Sequence, residues 1–237
     1  MKVTVINGSA RHGSTWHCKE EFLNALKEYD EVEAREFTLP NDMPNFCRGC
    51  YSCFYKGEGT CPDSEYTKPI LEALCESDVI VLTSPVYAFG VSGQLKALLD
   101  HLCFMWVSHR PNPKMFRKAG VIFTTTAGMG LGNTVKTMKY TLFFWGLKRI
   151  FVFKKAVAAM KWDGVSGKKK EQIKKETASM ARKVAAAVKN ERMLPRLSFR
   201  FMFSLMRGMQ KKNGYNPTDR AHWESQGWLG KASPFKG

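Results

Sequence analysis

A chain of 237 residues, 44% hydrophobic and 12% aromatic, with a net charge of +16, is too apolar to be disordered. Its length suffices for one sizeable core with roughly 40 residues to spare. No apolar run approaches the length of a bilayer span, and no charged-then-apolar leader precedes the first strand, so a cytoplasmic protein with no stable membrane insertion is expected.

Lys2-Val3-Thr4-Val5-Ile6 has the length and branching of a strand. Asn7-Gly8-Ser9-Ala10-Arg11-His12-Gly13-Ser14-Thr15 follows, and helical spacing then covers residues 16–29. A strand, a turn of small and hydroxylated residues and a helix make a seat for a phosphate. Small residues let the turn approach an anion, and Ser9, Ser14 and Thr15 offer hydroxyls. Arg11 offers a fixed charge, and the amides of the helix start point the same way. Gly8 and Gly13 stand as in the nucleoside-triphosphatase loop G-x4-G-K-[S/T], but Ser14 replaces the lysine. A triphosphate would lack its main cation there, whereas a monophosphate needs less. The plainer alternative is a small-residue turn that only caps a helix.

Residues 32–39 alternate in polarity and end at Pro40, as a strand does. Residues 40–65 form a long connection rich in Pro, Gly and Cys, of a kind that is usually functional. A helix over 68–77 precedes a β-branched strand over 78–83. Ser84-Pro85-Val86-Tyr87-Ala88-Phe89-Gly90 leads to a helix running to about residue 105, with Ser92 as its N-cap. A strand over 119–125 runs into Thr126-Ala127-Gly128-Met129-Gly130-Leu131-Gly132-Asn133 and a helix to about residue 145. A fifth strand spans 148–158, and a Lys/Ala-rich helix spans 167–190. Strands alternating with helices predict an α/β fold, a doubly wound parallel sheet covered on both faces.

Residues 1–190 are expected to form one domain, and 191–237 a basic, aromatic extension. Within it, residues 197–207 make a short amphipathic helix, expected to pack on the domain or on a second subunit in preference to a membrane.

In open α/β sheets ligands bind beyond the carboxyl ends of the strands, where strand order reverses. Three loops leave such ends: 8–15, 84–90 and 124–133. The first suits a phosphate. The second sets backbone amides and an aromatic face, at Pro85, Val86 and Tyr87, against a flat ring. In the third, Gly128 and Gly130 free the backbone to cover the ring's far edge. Gly128-x-Gly130-x-Gly132 is not a dinucleotide fingerprint, because it follows the fourth strand and Asn133 occupies the final glycine position. Together the loops point to a mononucleotide with a planar head.

The run from Asn7 to Thr15, the run Ser84-Pro85-Val86-Tyr87 and the run Val91-Ser92-Gly93-Gln94-Leu95-Lys96-Ala97-Leu98-Leu99-Asp100 carry a resemblance. Over roughly residues 1–190 the chain resembles the flavodoxin-like NAD(P)H-dependent FMN reductases and the related iron–sulfur flavoproteins. The resemblance implies a five-stranded sheet of order 2-1-3-4-5 and a homodimer or higher homo-oligomer. It implies an FMN phosphate on Ser9, Arg11, Ser14 and Thr15. The isoalloxazine would lie against Pro85, Val86 and Tyr87, with Thr125, Thr126 and Gly128 nearby. Ala10 stands where the family often has Pro, and Ser14 where it often has Asn.

Four of the seven cysteines crowd together as Cys47-x2-Cys50-x2-Cys53-x7-Cys61. In a cytosolic chain this favours metal or redox work over disulfides. The iron–sulfur members use such spacing to hold a [4Fe–4S] cluster. A zinc site would ask for four soft ligands too, and members of the plain reductase type carry cysteines here that only pack near the flavin. Cys18, Cys75 and Cys103 read as buried hydrophobes within helices, and His101 as structural.

The expected function is an FMN-dependent NAD(P)H oxidoreductase. It would pass electrons from a nicotinamide cofactor to a small acceptor: a quinone, a nitro compound or a flavin. No protein acid or base is assigned, because the flavin carries that chemistry. The alternatives are an electron carrier holding FMN and a [4Fe–4S] cluster, and a flavin-binding regulatory module. Residues 161–237 hold 18 Lys and Arg against 6 Asp and Glu, so most of the excess charge lies there. It would serve an anionic substrate such as NADPH, an anionic membrane or nucleic acid, or simply solvation. The last is the plainest, and no nucleic-acid partner is expected.

Overall fold

The computed structural model describes residues 1–159, 161–213 and 216–235. Strand β1 (Lys2–Asn7) is followed by helix α1 (Ser14–Leu26), β2 (Glu33–Thr38), the short α2 (Ser52–Lys56), α3 (Ser64–Glu76) and β3 (Val79–Thr83). Helix α4 (Gly93–His101), β4 (Ala119–Thr126), α5 (Leu131–Phe144), β5 (Arg149–Ala156) and α6 (Gly167–Lys189) complete the alternation. Helices α7 (Leu197–Asn213) and α8 (Pro217–Ser225) lie in the extension.

The five strands form one sheet in the order β2-β1-β3-β4-β5, every pair parallel. This is the doubly wound flavodoxin-like order expected. The β-branched runs explain it. Every residue of β3 is buried, as suits a strand covered on both faces, while most of edge strand β2 is exposed. Side chains alternate between two cores. Val3, Val5, Val79, Val81, Val121 and Phe123 face α1 and α6, whereas Ile6, Ile80, Leu82 and Ile122 face α3, α4 and α5.

Boundaries differ where packing outweighs local signals. α3 begins at Ser64, four residues before the expected start, and carries Pro69 inside it. Burial of Thr67 and Ile70 against the sheet holds its first turns in place. α4 stops at His101, and a 3-10 turn over Cys103–Met105 replaces its expected last turn.

The extension is part of the core. Phe199, Phe203, Trp223 and Trp228 join the same buried cluster as Phe116, Trp145 and Leu147. Phe116 meets Phe199 at 5.3 Å between ring centres, and Phe203 meets Trp223 at 4.7 Å. Gly146, at φ +90°, leaves room for Phe116 and Phe199 where any Cβ would collide. A buried ion pair adds to this: Asp219 of α8 accepts from Arg110 Nη1 at 2.7 Å and lies 2.8 Å from His109 Nδ1. Among the described residues, no helix is long and apolar enough to cross a membrane.

Candidate active site

The three loops foreseen at the strand ends meet. They are stitched by bonds between residues far apart in the chain. Gly8 donates its amide to Thr83 O at 2.9 Å, and a Cβ at Gly8 would stand 2.5 Å from that same oxygen, so only glycine lets β1 leave the sheet here. Ser92, fully buried, caps α4 by accepting from Leu95 N and donates its hydroxyl proton to Gly8 O. Ser92 N donates to Ser84 Oγ at 2.9 Å. Val86 N donates to Thr125 O at 3.0 Å, and the Thr15 and Thr125 hydroxyls share a bond of 2.6 Å.

The loops enclose a cavity of about 280 Å³. One end is polar. Ser9, Arg11, Ser14 and Thr15 line it, and the first turn of α1 points its amides there with the positive end of the helix dipole. Asn7 stands beneath, its Nδ2 donating to Glu36 at 2.7 Å. Glu36 in turn holds the fully buried Lys19 at 2.9 Å. Asn7 Oδ1 is buried with no partner among the described residues, an acceptor waiting for a donor. Pro85, Val86, Tyr87, Thr125, Thr126 and Ala127 complete the wall, with Tyr87 OH 3.4 Å from Ser9 Oγ.

Nine of the ten residues expected to hold a cofactor therefore line one cavity. Gly128 does not: it lies just outside, in a turn closed by Thr126 Oγ1, which accepts from its amide at 3.2 Å. Two details also differ from expectation. The Val86 and Tyr87 amides, assigned to a ring, are used within the protein, by Thr125 O and by Gly90 O at 3.0 Å. The Thr15 hydroxyl joins loops, which leaves the Thr15 amide for an anion. Sequence reasoning missed Trp16, Val157 and Ala159 in the wall. The last two follow β5, whose carboxyl end is one more strand end of the same kind. At the rim His12 stacks on Trp16 at 4.4 Å, and His17 stacks on Trp162 at 4.7 Å. Burial holds the His17 imidazole below its ordinary value.

A second, smaller cavity is lined by Cys47, Cys50, Cys53 and Cys61 together with Asp63 and His101. Positive φ at Gly49, Tyr51 and Gly57 turns the loop so that all four cysteines line this cavity, yet among the described residues only Cys61, Asp63 and His101 bring their ligand atoms within 4.8 Å of one another. The thiols differ. Burial pushes Cys53 and Cys61 up, while Ser52, its hydroxyl 3.5 Å from Cys50 Sγ, holds the exposed Cys50 thiol below its ordinary value. His101, buried at the end of α4, has Nδ1 3.7 Å from Cys61 Sγ and Nε2 3.8 Å from Asp63. It thus stands in one group of ligand atoms with Cys61 and Asp63, a grouping that could hold a metal ion, where only a structural role was expected. Cys18 is buried, with its thiol pushed up to about 12. Cys75 and Cys103 are only half-buried, and Cys103 sits in the 3-10 turn, not in a helix.

One family model, described as NADPH-dependent FMN reductase, matches residues 1–164. The chain belongs to this family. The expectations of fold, of FMN and of NAD(P)H are thus borne out at the level of the family. An iron–sulfur flavoprotein of Methanocaldococcus jannaschii is 44% identical over 101 residues, 42% of this chain and 51% of that relative. The match thus spans about half the length of that relative. An FMN-dependent NADH:quinone oxidoreductase of Herminiimonas arsenicoxydans is 25% identical over 70% of this chain and 91% of its own. Among solved structures, an FMN-dependent NADH-azoreductase from Bacillus anthracis in complex with FMN superposes with a TM-score of 0.60. That superposition is at 15% identity and covers 78% of this chain and 100% of that one, so the likeness is one of fold.

Proposed function

We propose that this family member binds FMN in the cavity between the β1, β3 and β4 loops and uses it to carry electrons from NAD(P)H to a small acceptor. The observation that carries the reading is one cavity whose wall joins Arg11, the hydroxyls and the first turn of α1 to Pro85, Val86 and the Tyr87 ring. FMN, when bound, supplies hydride acceptance from the nicotinamide and electron delivery to a quinone, nitro compound or flavin. The protein does the rest. Arg11, the hydroxyls of Ser9 and Ser14 and the Thr15 amide hold a phosphate dianion. The unpartnered Asn7 Oδ1 accepts from a ribityl hydroxyl. Pro85, Val86 and the ring of Tyr87 support the flat head by contact, since the amides there are taken. Tyr87, Phe89 and Met129 stand exposed beside the cavity, an apolar rim suited to the acceptor or to the second copy of a homodimer.

Titration of the protein with FMN, followed by NADH or NADPH without oxygen, tests this. Saturable uptake and bleaching of the flavin by a nicotinamide are expected. Protein that takes up no FMN sinks the reading.

A second reading, an electron carrier with a [4Fe–4S] cluster beside the FMN, has its own support. Four thiol donors share one cavity, and thiolates are the ligands such a cluster needs. Cys47, Cys50, Cys53 and Cys61 would hold it. Iron and acid-labile sulfide, measured on protein prepared without oxygen, decide between cluster, zinc and bare cysteines. Flavin that a ferredoxin reduces but neither nicotinamide does would favour the carrier.

A further inference from the structure

We propose that the outer face of α7 is a docking surface for an anionic lipid bilayer, on which the protein rests without spanning it. The helix is apolar on two faces. Its inner face carries Phe199 and Phe203 into the core. Its outer face carries Leu197, Phe201, Leu205 and Met209, exposed by 76%, 66%, 47% and 54%. Steps of four residues keep these side chains in one slowly turning stripe, about 18 Å long at 1.5 Å per residue. Exposed apolar side chains scattered singly are ordinary, but a continuous row of them marks a contact surface.

Charge selects the occupant. α7 contains no Asp or Glu. Arg200 and Arg207 are half-buried against the tail, over the Phe235 ring and donating to Ala232 O, whereas Arg196 before the helix and Lys211 and Lys212 at its end are exposed, with Lys212 within the stripe. At its start Arg196 meets Lys139 and Tyr140 of α5 around an apolar cavity of about 150 Å³. Two copies meeting through this face would press cation against cation. The stripe is a ridge, which a fluid apolar layer accepts without shape complementarity while anionic headgroups meet the exposed Arg196, Lys211 and Lys212 at its two ends. A ten-residue peptide would bind a bilayer weakly because it must first fold. α7 is 17 residues long and already held helical by its inner face, so docking costs no helix-forming entropy. The inference stands apart from the flavin reading.

The test is co-sedimentation of the full-length, FMN-supplemented protein with vesicles of phosphatidylcholine, with or without phosphatidylserine. Binding to the phosphatidylserine vesicles is expected to be about tenfold tighter or more than to phosphatidylcholine alone, and to weaken as salt rises. The double variant F201S/L205S should lose about tenfold or more, with an unchanged thermal midpoint and circular dichroism. R196Q/K211Q/K212Q should bind less tightly, with a shallower salt dependence. The proposal is overturned if the wild-type protein stays in the supernatant, or if F201S/L205S binds as the wild type does. Binding indifferent to phosphatidylserine overturns it too. A concentration-dependent dimer abolished by F201S/L205S would give the stripe to a second copy instead.

Discussion

Ser92 shows how one hydroxyl can serve two loops. It caps α4 and also holds Gly8 O, so Ser92→Ala removes a cap and orphans a buried carbonyl. The expected loss is about 2–3 kcal/mol by denaturant unfolding. Arg11 lines the cavity and stands exposed there, and Arg11→Ala removes its fixed charge. It should weaken FMN about tenfold, roughly 1.4 kcal/mol, in a fluorescence titration. The cysteines sort by environment. In metal-free protein, alkylation should reach Cys50 first and spare Cys18 and Cys103, whose thiols burial pushes to about 12. Because the Cys50 thiol sits below its ordinary value, its alkylation rate should level off at a lower pH than that of a free thiol, as mass spectrometry across a pH series would show. Loaded metal or cluster should protect all four loop cysteines. Residue types at the site were legible because a phosphate seat is written in consecutive residues. Which atoms remain free was not legible: the Val86 and Tyr87 amides are spent on partners in other turns.

Helix α8 is the element whose role local sequence conceals. It holds the cysteine loop: Asn216 Nδ2 donates to Phe54 O at 3.0 Å, and Thr218 Oγ1 donates to Tyr55 O at 2.8 Å. Arg110, which donates to Cys53 O, is neutralised by Asp219 across 109 residues of sequence. Asp219→Ala leaves the buried Arg110 with only the half-exposed Glu58, 3.5 Å away, and should cost about 3 kcal/mol. Thermal unfolding checks the magnitude, and faster alkylation of Cys53 checks that the loop has loosened. The strands, by contrast, were legible almost to the residue, since β-branched runs between turn residues carry the signal locally. Helix ends were less so. A helix was expected over 68–77, yet with Thr67 and Ile70 buried α3 begins back at Ser64.

For the whole molecule, the division at residue 190 bears on stability. Phe199, Phe203, Trp223 and Trp228 cover Phe116 and Trp145, so we propose that residues 191–237 are a structural part of the domain. A chain ending at residue 190 should expose that cluster, lose cooperative unfolding and aggregate, while carrying less positive charge. A truncated protein that unfolds at the full-length midpoint would contradict this. The amino-acid order alone determined the alternation of strands and helices, the parallel doubly wound sheet and the glycine-and-hydroxyl turn. Each of these depends on neighbours a few residues apart. Only the tertiary structure decided that the extension completes the core, that α8 grips the cysteine loop and that α7 turns a second apolar face outward. Those outcomes depend on which distant surfaces remain uncovered once the sheet has formed, and no short window of sequence contains that information.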